Sequence, residues 1–135
     1  MTKTKLVSLK EIEGAISPHQ AQLDRAMKVR LPALEFVNDV SALARFIGGK
    51  VESLNLKEDW GLSKEVFPGV SIFFIYNRAD DEFPANLRVL FNGEKLNMLS
   101  GEDLAGNAIS CVNHMLRFIR ESNKDKKLPE VCYRI

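Results

Sequence analysis

Residues 70–76 narrow most sharply what this chain can become. They read VSIFFIY, a stretch apolar on both sides and interrupted only by Ser71. Alternate residues of a strand point to opposite faces, so such a run belongs to a central strand covered on both. The acidic turn Arg78-Ala79-Asp80-Asp81-Glu82 follows, and then Phe83-Pro84. Next, Leu87, Val89 and Phe91 alternate with Arg88 and Asn92, as in a strand with one wetter face. Asn92-Gly93 is the strongest two-residue hairpin signal in the chain, because both central positions of a type I′ turn need positive φ. A third extended piece is therefore expected at residues 94–99, with Leu96 and Met98 on one face. These runs predict a meander of three antiparallel strands, and residues 51–56 are the candidate for a fourth.

Helical signals surround this unit. Ser8 with Glu11 fits a capping box ahead of Leu9, Ile12, Ala15 and Ile16. Ser17-Pro18, with Gln20 three residues after the serine, starts a second helix expected to reach Arg30 and to bury Leu23, Ala26 and Met27. Pro32 should break or kink it. Leu34, Val37, Val40, Ala44 and Ile47 mark a third helix, stopped by Gly48-Gly49. Residues 57–61 read as a loop holding Trp60, and residues 66–69 as a turn into the central unit. Ser100 with Asp103 opens the last long helix, whose buried stripe is Leu104, Ala108, Cys111, Val112, Met115 and Ile119. Residues 128–135 are apolar enough to dock back, and residues 1–7 read as a disordered start. The class is α+β: one domain over residues 1–135, a small antiparallel sheet of three to four strands packed against N-terminal helices and a long C-terminal helix.

Charge excludes more than it suggests. Nineteen Lys and Arg balance eighteen Asp and Glu, so the net charge of +1 gives no electrostatic reason to expect nucleic acid or a membrane surface. The two cysteines, Cys111 and Cys132, have neither zinc-ligand spacing nor the spacing of a disulfide framework. The N-terminus carries no apolar core of signal-peptide length, and no segment approaches the roughly 18 apolar residues of a membrane span. A reduced, cytoplasmic protein without a metal or cofactor is the expectation.

No catalytic signature emerges. His19 and His114 have no second histidine or cysteine at ligand spacing, and no serine sits in a nucleophile-elbow context. The acidic turn is the surface with the most to offer. Asp80, Asp81 and Glu82, followed by Phe83 and Pro84, can dock a basic partner or simply form a solvated hairpin loop. They lack the alternating ligands and bend glycine of a calcium loop. Phe73, Tyr76 and Phe91, with Phe83 as a lip, are the candidate lining of a pocket, although aromatics at strand spacing more often form core. The first reading is a non-enzymatic accessory or binding module, with a protein partner or self-association expected ahead of a small molecule. The alternative is a small-ligand or cofactor-binding protein, or a small enzyme, built on the aromatic pocket. Pairing of two copies through the sheet or the C-terminal tail is the third.

The order of certain pieces carries a resemblance. FIGGKV at 46–51 is followed by VFPGVSIFF at 66–74, DDEFPA at 80–85, LFN at 90–92 and LSGEDLA at 99–105. This pattern resembles the C-terminal part of an uncharacterised family of anaerobic bacteria and archaea, domain of unknown function 3786, over residues 34–118. The resemblance implies a cytoplasmic protein accessory to redox or corrinoid-linked one-carbon enzymes, and no activity. The family's aspartate after Leu-Phe is Asn92 here, so no metal ligand carries over to that position. Some members are joined to a cysteine-rich iron–sulfur segment; this chain has no such cluster and is expected to bind none. The resemblance points again at Asp81, Glu82, Phe83 and Pro84.

Overall fold

A computed structural model describes residues 5–135. It is α+β, as the patterning predicts. The elements are α1 (Leu9–Glu13), α2 (Pro18–Leu34), α3 (Val40–Ile47), β1 (Lys50–Glu52), β2 (Trp60–Phe67), β3 (Val70–Asn77), β4 (Asn86–Asn92) and α4 (Gly101–Ser122). The four strands form one antiparallel sheet in the order β1-β2-β3-β4. Helices cover the face that carries Leu62 on β2, Val70, Ile72, Phe74 and Tyr76 on β3, and Val89 and Phe91 on β4. The long helix α4 contributes Leu104, Ala108, Cys111, Val112, Met115 and Ile119 to this core, the stripe its spacing predicts. Both predicted capping boxes form, at Ser8 with Glu11 and at Ser100 with Asp103. The tail docks through buried Leu128 and Cys132, the latter in a short 3-10 turn.

Several expectations are corrected. Helix α2 runs through Pro32 to Leu34. Pro32 lies in the final turn and removes one hydrogen bond, whereas Ala33 and Leu34 beyond it are fully buried, and that burial outweighs the loss. The third helix consequently starts later, at Val40, where the Asp39 side chain caps the Ala42 N–H.

The loop expected at residues 57–61 is only a short lead-in to β2, the longest strand that the sequence did not predict. Its inward positions, set by the register with β3, are Trp60, Leu62 and Lys64, and Val66 at the register shift also packs against the core. Lys64 breaks the apolar alternation, yet it has a use there: its Nζ donates to the Ile47 carbonyl at the end of α3. The tight turn of the hairpin is Pro68-Gly69, with Gly69 at φ 81°, as the third position of a type II turn requires.

Asn92-Gly93 is not a hairpin. Residues 94–99 form a 3-10 turn at Leu96–Met98 instead of a strand. The outer edge of β4 is already taken at Phe91 by Val7, through two backbone hydrogen bonds of 2.8 Å each. Residues 1–4 of the expected disordered start lie outside the described residues.

Helices α1, α2 and α4 meet at one carboxylate. Glu13 accepts from the Ser17 hydroxyl at 2.5 Å and faces His19 Nδ1 at 2.6 Å, with Gly101 close against it at the start of α4. The Ser17 hydroxyl, and after it His19, hold the Glu13 carboxyl below its ordinary value of 4.5. A carboxyl depressed in the folded state contributes stability that is complete above the unfolded value and is lost as pH falls through the folded one. Wild type should therefore lose more stability than Glu13→Gln as pH falls through and below the ordinary glutamate range. Denaturation midpoints measured across that range check it; parallel pH profiles for the two proteins would refute the linkage.

Candidate functional site

Asp80 builds the turn between β3 and β4. Its Oδ1 accepts the backbone N–H of Glu82 at 2.9 Å and of Phe83 at 2.7 Å, and its own N–H donates to the Phe83 carbonyl at 2.9 Å. Such side-chain-to-backbone bonds are how aspartate stabilises a turn. The Phe83 N–H, with that of Glu82, holds the Asp80 carboxyl below the usual range. Asp80 thus serves the turn. Asp81, Glu82, Phe83 and Pro84 are left exposed on it, Phe83 at 66%.

A groove of about 550 Å³ lies beside this turn, between Lys57 and Asp59 on one side and Arg78, Phe83 and Pro84 on the other, with Asn77 and Asn86 between them. The two sides are tied to each other at the base of the groove. Asp59 accepts the Arg78 N–H at 2.6 Å, and the Asn77 side-chain amide donates to the Lys57 carbonyl at 2.8 Å. Upstream, the Glu58 carboxylate accepts from the N–H groups of Leu54 at 2.6 Å and Leu56 at 2.8 Å. These bonds, led by that from Leu54, keep Glu58 below its ordinary value. They also stabilise a bend in which Asn55 and Lys57 adopt positive φ, 56° and 62°.

The proposed aromatic pocket is not assembled. Phe91 is fully buried in the core. Tyr76 is 1% exposed on the same face, stacks near Trp60 at 5.1 Å between ring centroids, and edges a separate cleft of about 420 Å³ that includes Glu35, Asn38 and Arg78. Burial raises its phenol pKa, with nearby Glu35 adding to the shift. Phe73 points to the opposite face of the sheet, and Phe83 stands out on the turn. Alternation puts Phe73 on the far face, Tyr76 and Phe91 are packed into the core, and Phe83 lies outside the strands, so the four do not converge on one cavity.

The remaining reactive groups are engaged or buried. His19 is paired with Glu13, and the His114 ring lies 4.9 Å from that of Phe46. Burial, with Lys64 and Arg117 nearby, lowers the His114 pKa, favouring the neutral ring. Cys111 and Cys132 are free and buried, and burial raises both thiol pKa values. Among the described residues, no group of three His, Cys, Asp or Glu is placed to hold a metal ion. Nor is any helix among them long and apolar enough to cross a membrane.

The acidic turn was legible from its composition; the opposite wall of the groove was not. Lys57 and Asp59 reach Asn77 and Arg78 across about twenty residues of chain, and no local pattern marks that pairing. The positive-φ residues Asn55 and Lys57 offer only a faint hint, since asparagine is favoured in that conformation.

No curated protein and no solved structure matches the chain. A family model does, and it extends the motif resemblance back through the N-terminal helices while ending inside α4. Over residues 1–114 the chain belongs to the family described as Domain of unknown function (DUF3786).

Proposed function

We propose that this chain is a non-enzymatic binding or accessory module that docks a protein partner through Asp81, Glu82, Phe83 and Pro84 and the groove beside them. The observation that carries the reading is Phe83: a large aromatic side chain 66% exposed on a turn whose backbone Asp80 clamps. Exposed aromatics commonly act as anchors in interfaces, and a turn already held in shape reduces the ordering cost of binding. The exposed carboxylates of Asp81 and Glu82 flank it. The complementary surface is an apolar recess ringed by lysine or arginine. A cytoplasmic setting accords with two free, buried thiols.

The test is affinity capture from a native extract, comparing wild type with Asp81→Lys/Glu82→Lys and with Phe83→Ala. The expected result is a partner retained by wild type and lost from both variants, with unfolding midpoints unchanged because all three side chains are exposed. A partner held equally well by the charge-reversed protein would remove the turn from the function.

A further inference from the structure

Strand β4 is one edge of the sheet, and only part of it is occupied. The N–H and C=O of Phe91 both bond to Val7, so they point away from β3. In an antiparallel ladder this direction repeats every second residue, which turns the N–H and C=O of Val89 and Leu87 toward the same open edge. Val7 has thus begun a fifth strand antiparallel to β4. The Ser8–Glu11 capping box then diverts the chain into α1, and no described residue pairs with the next two places on the edge.

Beside those places lie two adjoining clefts of about 350 and 380 Å³. Leu87 and Asn86 line both, and α2 forms the facing wall with Asp24 and Met27, extended by Gln20 and Leu31. The trough runs between a helix and a strand edge, has an apolar floor at Met27 and Leu87, and is flanked by Lys10 and Lys28. Asp24, the opposing charge, already accepts from the Gln20 amide at 2.8 Å.

We propose that this trough is a strand-addition site for an extended peptide segment of another protein. The segment continues the fifth strand that Val7 starts. It exchanges hydrogen bonds with Leu87 and Val89, sets an apolar side chain against Met27 and Leu87, and directs a carboxylate toward Lys10 and Lys28. Main-chain bonds supply affinity in this mode, and alternate side chains supply specificity. Continuity with the Val7 pairing, and the α2 wall that faces the β4 edge across the trough, favour a peptide over the edge of a second copy.

The site is distinct from the acidic-turn surface and does not rest on it. The probe is a displayed library of random seven-residue peptides, panned on the whole chain. Selected sequences should carry an acidic residue. Their binding should fall at least tenfold in Asp24→Trp, which fills the trough from an exposed helix position. It should fall similarly in Leu87→Pro, which removes an outward N–H without touching the β3 ladder. N-methylation along a selected peptide should abolish binding at alternate positions only, the period of a strand. Asp81→Lys/Glu82→Lys should bind these peptides as wild type does, so failure of one surface is separable from failure of the other. Peptides indifferent to Asp24→Trp, or N-methyl effects without a two-residue period, would overturn the proposal. So would a wild-type dimer that Leu87→Pro converts to monomer, because the occupant would then be a second copy.

Discussion

Phe91→Ala is expected to lower stability by about 3–5 kcal/mol, the usual cost of truncating a fully buried phenylalanine. Phe91 is 0% exposed, faces the helices from β4, and pairs across the sheet with Ile72, which is also fully buried. Removing the ring forfeits its burial and leaves a cavity that neighbours on both sides hold open. A domain has only about 5–15 kcal/mol in hand, so the variant should be unfolded in mild denaturant or at modest temperature. Phe83→Ala, two-thirds exposed on its turn, should change stability by under about 0.5 kcal/mol. Trp60, the only tryptophan and itself buried, makes fluorescence a suitable readout. The contrast distinguishes a core aromatic from an interface aromatic eight positions apart in the chain. Equal effects for the two variants would mean that Phe91 lies at a yielding surface and the core assignment is wrong.

Gly93→Ala is the second large effect. Gly93 has φ 136°, a conformation rarely open to L side chains, and a Cβ there would run into the Gly69 carbonyl. Backbone strain of about 1–3 kcal/mol and overpacking of about 1–3 kcal/mol act together. The expected destabilisation is about 3 kcal/mol or more. Relief would require separating two stacked turns, whose contact is reinforced by the Lys95 N–H donating to the Gly69 carbonyl at 3.1 Å. Gly106→Ala is the companion experiment. Gly106 lies exposed within α4 with open space where a Cβ would go, so alanine there should stabilise by about 1 kcal/mol through helix propensity. Chemical denaturation of both variants checks the pair, and a neutral Gly93→Ala would show that the two turns separate freely.

Both effects bear on what was readable from residue order. Asn92-Gly93 has the composition of a hairpin turn, and the glycine does adopt positive φ. The strand it should have introduced is missing because hairpins need an edge to return along, and Val7, some 85 residues away, holds that edge at Phe91. Pro32 carries a strong local stop signal, yet α2 continues through it because Ala33 and Leu34 find the core. Strand β2 was hidden by Lys64, an inward position made tolerable by the carbonyl at the end of α3. In each case a contact distant in sequence overrode a correct local preference.

The candidate site divides along the same line. Asp80, Asp81, Glu82, Phe83 and Pro84 are adjacent, so their composition alone marked them as an exposed turn. The division of labour among them was not visible: Asp80 spends its oxygen on the turn's own backbone and leaves the next two carboxylates free. Phe73, Tyr76 and Phe91 could be grouped as a pocket only while their faces were unknown. Register with the neighbouring strands places Tyr76 and Phe91 inside and Phe73 on the other side.

By itself, the sequence determined the α+β class, the capped start and buried stripe of α4, the central strand β3, and the acidic turn that follows it. These rest on interactions within a few residues: side-chain caps, helical and strand periodicity, and turn chemistry. Tertiary structure alone decided where Val7 pairs on the β4 edge, which aromatics are core, and which loop faces the turn to form a groove. Those outcomes depend on register and on pairings between distant segments, such as Val7 with Phe91 and Asp59 with Arg78, whose geometry no local pattern encodes.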